Sequence, residues 1–172
     1  STHSYMTALE GKVFLVTGAG RRVGEAIVRR LHEAGANIVL HCRRSYDEAK
    51  VVQEELNAVR ANSVMMVRAN ILDIEGHAEL VRNCLERFER LDGLVNNAST
   101  FYNTPIENIN VYAWDNLMGT NVKAPLFLSA AAAPHLKKTK CVIINITDIH
   151  AERPLKGFSI YNVAKEIGRA HV

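Results

Sequence analysis

"KVFLVTGAGRRVG", residues 12–24, decides the reading of the whole chain. Its first seven residues are a short, apolar, β-rich run closing on Thr17-Gly18, which predicts a buried strand. Gly18, Gly20 and Gly24 then separate that strand from a helix predicted over "RRVGEAIVRRLHEAGA". Val23, Ile27 and Leu31 form its apolar stripe and Gly35 its stop. Glycines at such a turn let the backbone bend tightly and approach a ligand with no Cβ in the way. Free N–H groups at the new helix's start face an anion, and a pyrophosphate is the natural guest. The dinucleotide fingerprint is G-x-G-x-x-G, and this stretch has one more residue before its last glycine. A tight turn with no ligand is the plainer alternative. Three glycines with Arg21 and Arg22 in one turn weigh against it.

Outward from this unit, strand and helix keep alternating. "NIVLHC" reads as a second strand, and "SYDEAKVVQEELNAVR" as a helix opened by Ser45, with Glu48 completing a capping box. "SVMMVRAN" is a third strand, "IEGHAELVRNCLERFER" a third helix, and "LDGLVNNAS" a short fourth strand running into a turn. A long helical stretch then runs from about 109 to Ala133, and "KCVIINIT" is a fifth strand. The strands are near-continuous apolar runs, the mark of a parallel sheet covered on both faces. The fold class is therefore α/β, a doubly wound Rossmann-type parallel sheet. Residues 1–10 read as a flexible tail and 11–172 as one nucleotide-binding and catalytic domain.

Composition narrows the class. The chain of 172 residues is 48% hydrophobic, enough for a real core. Its net charge of +3 is spread along the chain, which gives no reason to expect nucleic acid. Cys42, Cys84 and Cys141 are odd in number, have no paired spacing and sit in apolar or amphipathic runs, so buried free thiols are expected. With no signal peptide and no apolar run of bilayer length, the expectation is a soluble, cytoplasmic protein with no membrane partner.

The second strand ends in "LHCRRSYDE". NAD-binding domains usually place an acidic residue near this point for the ribose 2′-hydroxyl. Arg43, Arg44 and Ser45 stand here instead, two cations and a hydroxyl suited to a 2′-phosphate. NADP(H) is therefore expected over NAD(H), with a solvated basic loop as the bland alternative. Farther on, Tyr161 and Lys165 stand four apart at the start of a predicted helix and share one face. A phenol titrates near 10, and an ammonium beside it stabilises the phenolate and lowers that value. Asp148 precedes Tyr161 by thirteen residues, just behind the fifth strand. Its plainer role is to cap the following turn.

With these motifs together, residues 11–166 resemble the short-chain dehydrogenase/reductase family: "TGAGRRVG", "LVNNAS", Asn121 in "GTNVKAP", "NIT" and "YNVAK". In many members the middle glycine of the turn falls at Arg22. Arginine there, "LHCRRS", "NNASTFYNTP" and the aspartate before the tyrosine resemble the pteridine reductase branch. The resemblance implies that Tyr161 donates a proton, Asp148 relays it, and Lys165 tunes the phenol and holds the cofactor ribose, with NADPH as reductant. It implies that Asn121 supports a water-linked proton path, and that Phe101 stacks a pterin against the nicotinamide. Ser99 is placed near cofactor or pterin, Asp148 and Tyr161 also against the substrate, and Arg21, Arg22, Val23, Asn97 and Ala98 around the cofactor. Asn70 stands where the family usually has an aspartate facing the adenine amine, and its amide oxygen can still accept that bond.

The implied function is NADPH-dependent reduction of dihydropterins or dihydrofolates. The alternatives are a carbonyl or 3-oxoacyl reductase, or an inactive NADP(H)-binding fragment. The resemblance also implies a homo-oligomer, tetramer or dimer, through the tyrosine helix. The family continues past that helix with further strands, whereas this chain ends at Val172 in "EIGRAHV", which is unlike the family. A C-terminally incomplete fold, with the fifth strand as a sheet edge, is therefore expected.

Overall fold

The structure is a computed structural model that describes residues 8–100, 102–139 and 142–146. Its strands are β1 (Val13–Val16), β2 (Asn37–Cys42), β3 (Val64–Arg68), β4 (Gly93–Asn96) and β5 (Val142–Asn145). Its helices are α1 (Arg22–Glu33), α2 (Tyr46–Val59), α3 (His77–Phe88), α4 (Val111–Met118) and α5 (Ala124–Thr139). All adjacent strands pair in parallel, in the order β3-β2-β1-β4-β5. The chain steps outward from β1 to β3, then returns to set β4 on the other side of β1. That reversal opens a crevice beyond the carboxyl ends of β1 and β4, where sheets of this kind bind ligands.

Alternate residues of β1 explain the two cores. Val13 and Leu15 face one side, packing with Leu80, Val81 and Cys84 of α3 and Leu128, Ala132 and Leu136 of α5. Phe14 and Val16 face the other, with Val28 of α1 and Ala49, Val52 and Leu56 of α2. The result is a three-layer sandwich whose strands are apolar on both faces, as a parallel sheet requires. Each fully buried aliphatic side chain contributes about 1.5–3 kcal/mol.

Several expectations need correction. The most buried face of α1 is Gly24, Val28 and His32; of the expected stripe Ile27 and Leu31 pack against the core part-buried, while Val23 is 57% exposed. Gly24 must face the sheet because only glycine fits there, and this rotates the helix by one position. Ser45 does stand before α2 but makes no capping bond through its side chain. It packs instead against Gly20, where an added Cβ would lie 2.5 Å from its Oγ. The long helix contains a π turn, Gly119–Lys123, and continues past Ala133 to Thr139 with Pro134 inside. Ala124, Leu128, Ala132 and Leu136 stay buried at four-residue spacing, so packing outweighs the bond that proline removes.

Leu9 donates to the Ala34 carbonyl at 2.8 Å and packs against the α1-side core. The first seven residues of the expected tail lie outside the described residues. Cys42 and Cys84 are free and buried, as expected. Burial pushes the Cys84 thiol up to about 12 and raises that of Cys42, so both are inert as nucleophiles. Cys141 lies outside the described residues. Among those described, no helix is long and apolar enough to cross a membrane.

Candidate functional site

A cleft of about 940 Å³ opens over the carboxyl ends of β1, β2 and β4, within the size range of small-molecule sites. Its floor is the glycine turn. Gly18 has φ +59, and a Cβ there would lie 2.8 Å from Ala98 Cα. At Gly24 a Cβ would strike the Gly18 carbonyl oxygen and come within 2.6 Å of Asn97 Nδ2. Arg22 is held at φ +55, in the left-handed region. A non-glycine residue there stores about 1–3 kcal/mol, strain that concentrates at functional sites.

Two exits from the sheet are braced together under the cleft. Thr17 Oγ1, buried at the end of β1, accepts from the backbone N–H groups of Asn97 and Ala98, each at 3.0 Å. Asn97 Nδ2 in turn donates to the Gly18 carbonyl at 3.0 Å. The "VTG" and "VNNAS" stretches are therefore two halves of one brace. Asn121, 5% exposed within the π turn, latches the next segment. Its Nδ2 donates to the Leu117 carbonyl at 2.8 Å and the Thr100 carbonyl at 3.0 Å, and its Oδ1 accepts from the Thr100 N–H at 3.4 Å. A π turn frees local backbone geometry for such a side chain and often marks a functional position.

The rim is cationic. Arg21, Arg22, Arg43 and Arg44 line the cleft with exposed side chains, together with Ser45. Among the described residues none of these four guanidinium groups lies within ion-pair distance of a carboxylate. Arg29, by contrast, is shared between Glu25 and Glu55. Unneutralised guanidinium groups beside a glycine turn suit a ligand with several phosphate oxygens.

Of the residues picked from the sequence, Gly18, Arg21, Arg22, Val23, Gly24, Arg43, Arg44, Ser45, Asn97, Ala98 and Ser99 all line this one cleft. Gly20 is not in its lining and packs against Ser45. Asn70 is not in its lining; it is exposed, and its Oδ1 accepts from the Leu72 N–H at 3.0 Å, the acceptor otherwise meant for adenine. Phe101, Asp148, Tyr161 and Lys165 lie outside the described residues. Sequence reasoning missed Thr17, His41, Tyr102 and Asn116. Tyr102 Oη and Asn116 Oδ1 are buried without a hydrogen-bond partner, and burial raises the Tyr102 phenol, with Tyr112 adding to it. The available signal for His41 was an imidazole near the end of an otherwise apolar strand.

Comparison with known proteins gives this crevice a family. The short chain dehydrogenase family matches residues 12–170. The chain belongs to that family. It is 33% identical to Pteridine reductase 1 of Leishmania tarentolae, over 93% of this chain and 68% of the relative. An uncharacterized oxidoreductase of Staphylococcus aureus (strain USA300) is 34% identical over the same shares, and one from strain N315 is equally so. As a short-chain dehydrogenase the protein is an oxidoreductase, and its family works with a nicotinamide cofactor. The glycine turn and guanidinium rim fit such a dinucleotide in both shape and charge.

Proposed function

We propose that the protein is an NADPH-dependent reductase of pterins, acting on dihydropterins or dihydrofolates. The observation that carries the reading is the replacement of a ribose-binding carboxylate by Arg43, Arg44 and Ser45 at the cleft rim. A carboxylate there would repel a 2′-phosphate, whereas paired guanidinium groups attract it. Likeness to a pteridine reductase supports the substrate class.

In this reading the N–H groups of the turn past Ala19, from Gly20 toward Gly24, hold the diphosphate over Gly18, and Arg21, Arg22 and Val23 flank it. Asn97, Ala98 and Ser99 border the nicotinamide half, and Asn70, whose Oδ1 is taken by the Leu72 N–H, would serve the adenine only by giving up that bond. When bound, the cofactor supplies a hydride. Tyr161 delivers the proton, Lys165 lowers the phenol's pKa, and Asp148 replenishes the proton at Tyr161. Phe101 offers a flat face to the pterin, and Asn121 keeps the Thr100 segment in place beside it. The working form is a homo-oligomer.

The experiment is NADPH consumption, followed by absorbance, with dihydrobiopterin and separately with a ketone. We expect turnover of the pterin and a loss of about 100-fold or more in Asp148→Ser, in the range that general acid–base groups supply. Ketone turnover that survives Asp148→Ser, without pterin turnover, would identify a carbonyl reductase instead.

A further inference from the structure

We infer that His41 is a positioning residue that sets the conformation of the phosphate-binding turn through its Nδ1. The inference rests on the reading of the cleft as a dinucleotide site. His41 is the penultimate residue of β2, lines the cleft and is 2% exposed. Its Nδ1 accepts from the backbone N–H of Gly18 at 3.1 Å, and its Nε2 lies 2.9 Å from the Ala69 carbonyl oxygen. Gly18 N–H can only donate and a carbonyl can only accept, so the ring is the neutral tautomer with its hydrogen on Nε2. Burial favours that neutral form, with His77 adding to it and the Ala69 bond acting against it.

The two bonds tie together the exits of three adjacent strands, beside the β2–β3 ladder that pairs His41 with Val67. Gly18 lies just past β1, His41 is the penultimate residue of β2 and Ala69 follows β3. Main-chain bonds reinforce the same point: Ala19 N–H donates to the His41 carbonyl at 2.8 Å and Ala69 N–H to that of Cys42 at 3.1 Å. A second buried imidazole, His77, holds the next residues through Nε2, 2.8 Å from the Ile71 carbonyl. Gly18 is the residue that needs fixing. Its left-handed backbone lies against Ala98, and its part-buried N–H would otherwise lack this partner. Holding that N–H inward leaves the following N–H groups, toward α1, to face an anion.

Two half-mimics separate the bonds. The amide oxygen of His41→Asn sits where Nδ1 was and keeps the acceptor for Gly18. The amide nitrogen of His41→Gln sits where Nε2 was and keeps the donor for Ala69. NADPH affinity should stay within about threefold of wild type in His41→Asn and weaken about tenfold or more in His41→Gln, the worth of one lost hydrogen bond at the site. Independently of cofactor, hydrogen exchange at the Gly18 amide should be slow in wild type and His41→Asn and fast in His41→Gln. The wild-type imidazole should report the Nε2–H tautomer by ¹⁵N shift. Equal losses in both variants, tracking melting temperature, would reduce His41 to ordinary packing and overturn the inference, as would an Nδ1–H tautomer. If no protein binds NADPH while the Gly18 exchange pattern holds, the dinucleotide reading fails and the pin stands.

Discussion

The two ends of the sheet are built to different rules. At the amino end, no buried side-chain polar atom of the described residues is left unmatched. Asp92, 0% exposed, accepts from Arg90 at 2.7 and 2.6 Å and from the Val13 N–H at 2.9 Å, while its own N–H donates to the Val13 carbonyl. Arg60 donates to the His32 and Ala36 carbonyls, and Asn57 Oδ1 accepts from the N–H groups of Ser63 and Val64. At the carboxyl end, four guanidinium groups lack carboxylate partners among the described residues, Arg22 is strained, and Tyr102 and Asn116 keep unmatched buried atoms. The amino end secures the fold. The carboxyl end keeps unmet bonding capacity for a ligand.

This contrast gives separable mutants. The largest effect belongs to Gly24→Val, whose side chain would strike the Gly18 carbonyl and Asn97. NADPH affinity in a fluorescence titration should drop by about 100-fold or more, roughly two lost contacts' worth. Wild-type affinity in this variant would mean that the turn needs no glycine there.

Asp92→Ala should act the other way. It leaves the Val13 N–H without its carboxylate acceptor and removes the bidentate pair with half-exposed Arg90, at a cost of about 2–3 kcal/mol, read from urea unfolding. NADPH binding by the folded protein should stay within about twofold. A comparable loss of affinity would erase the distinction between the two ends.

The smallest effect near neutral pH is acid sensitivity. Burial, with Arg60 nearby, lowers the His32 pKa from its ordinary 6.5 to about 4, and its Nε2 lies 2.7 Å from Ser63 Oγ. The unfolded chain takes up this proton first, so stability is full above pH 6.5 and declines toward pH 4, by at most about 1.4 kcal/mol per pH unit. Asp92 behaves as a paired carboxylate. Burial works against its charge, but Arg90 and the Val13 N–H outweigh that and hold its pKa below the ordinary 3.8. Its contribution is present above that value and is lost only at lower pH. Urea midpoints from pH 7 to pH 3 should therefore fall in two stages, the first absent in His32→Gln. A flat profile between pH 6.5 and 4 would remove His32 from the amino-end network.

The sheet was legible because its signals are local: apolar runs of strand length, and glycines at the first two turns, Gly18 to Gly24 after β1 and Gly35 after α1. The rim was legible for the same reason, since "CRRS" stands directly after a strand. What escaped notice depends on contacts between distant segments. The bond from Gly18 to His41 spans 23 residues and the Thr17 brace about 80, and neither leaves a periodic trace. Val23 looked like core because helical spacing gives a stripe's width but not its rotation. The π turn was invisible because Asn121 earns its place only by reaching the Thr100 segment.

The most direct measurement is a side-by-side equilibrium titration of NADPH and NADH, on wild type and on Arg43→Ala/Arg44→Ala. NADPH should bind at least about tenfold tighter than NADH to wild type, the worth of one charged contact to phosphate. The double variant should lose that preference while its NADH affinity barely changes. Equal affinities in wild type, or a preference that survives removal of both arginines, would contradict the NADPH assignment.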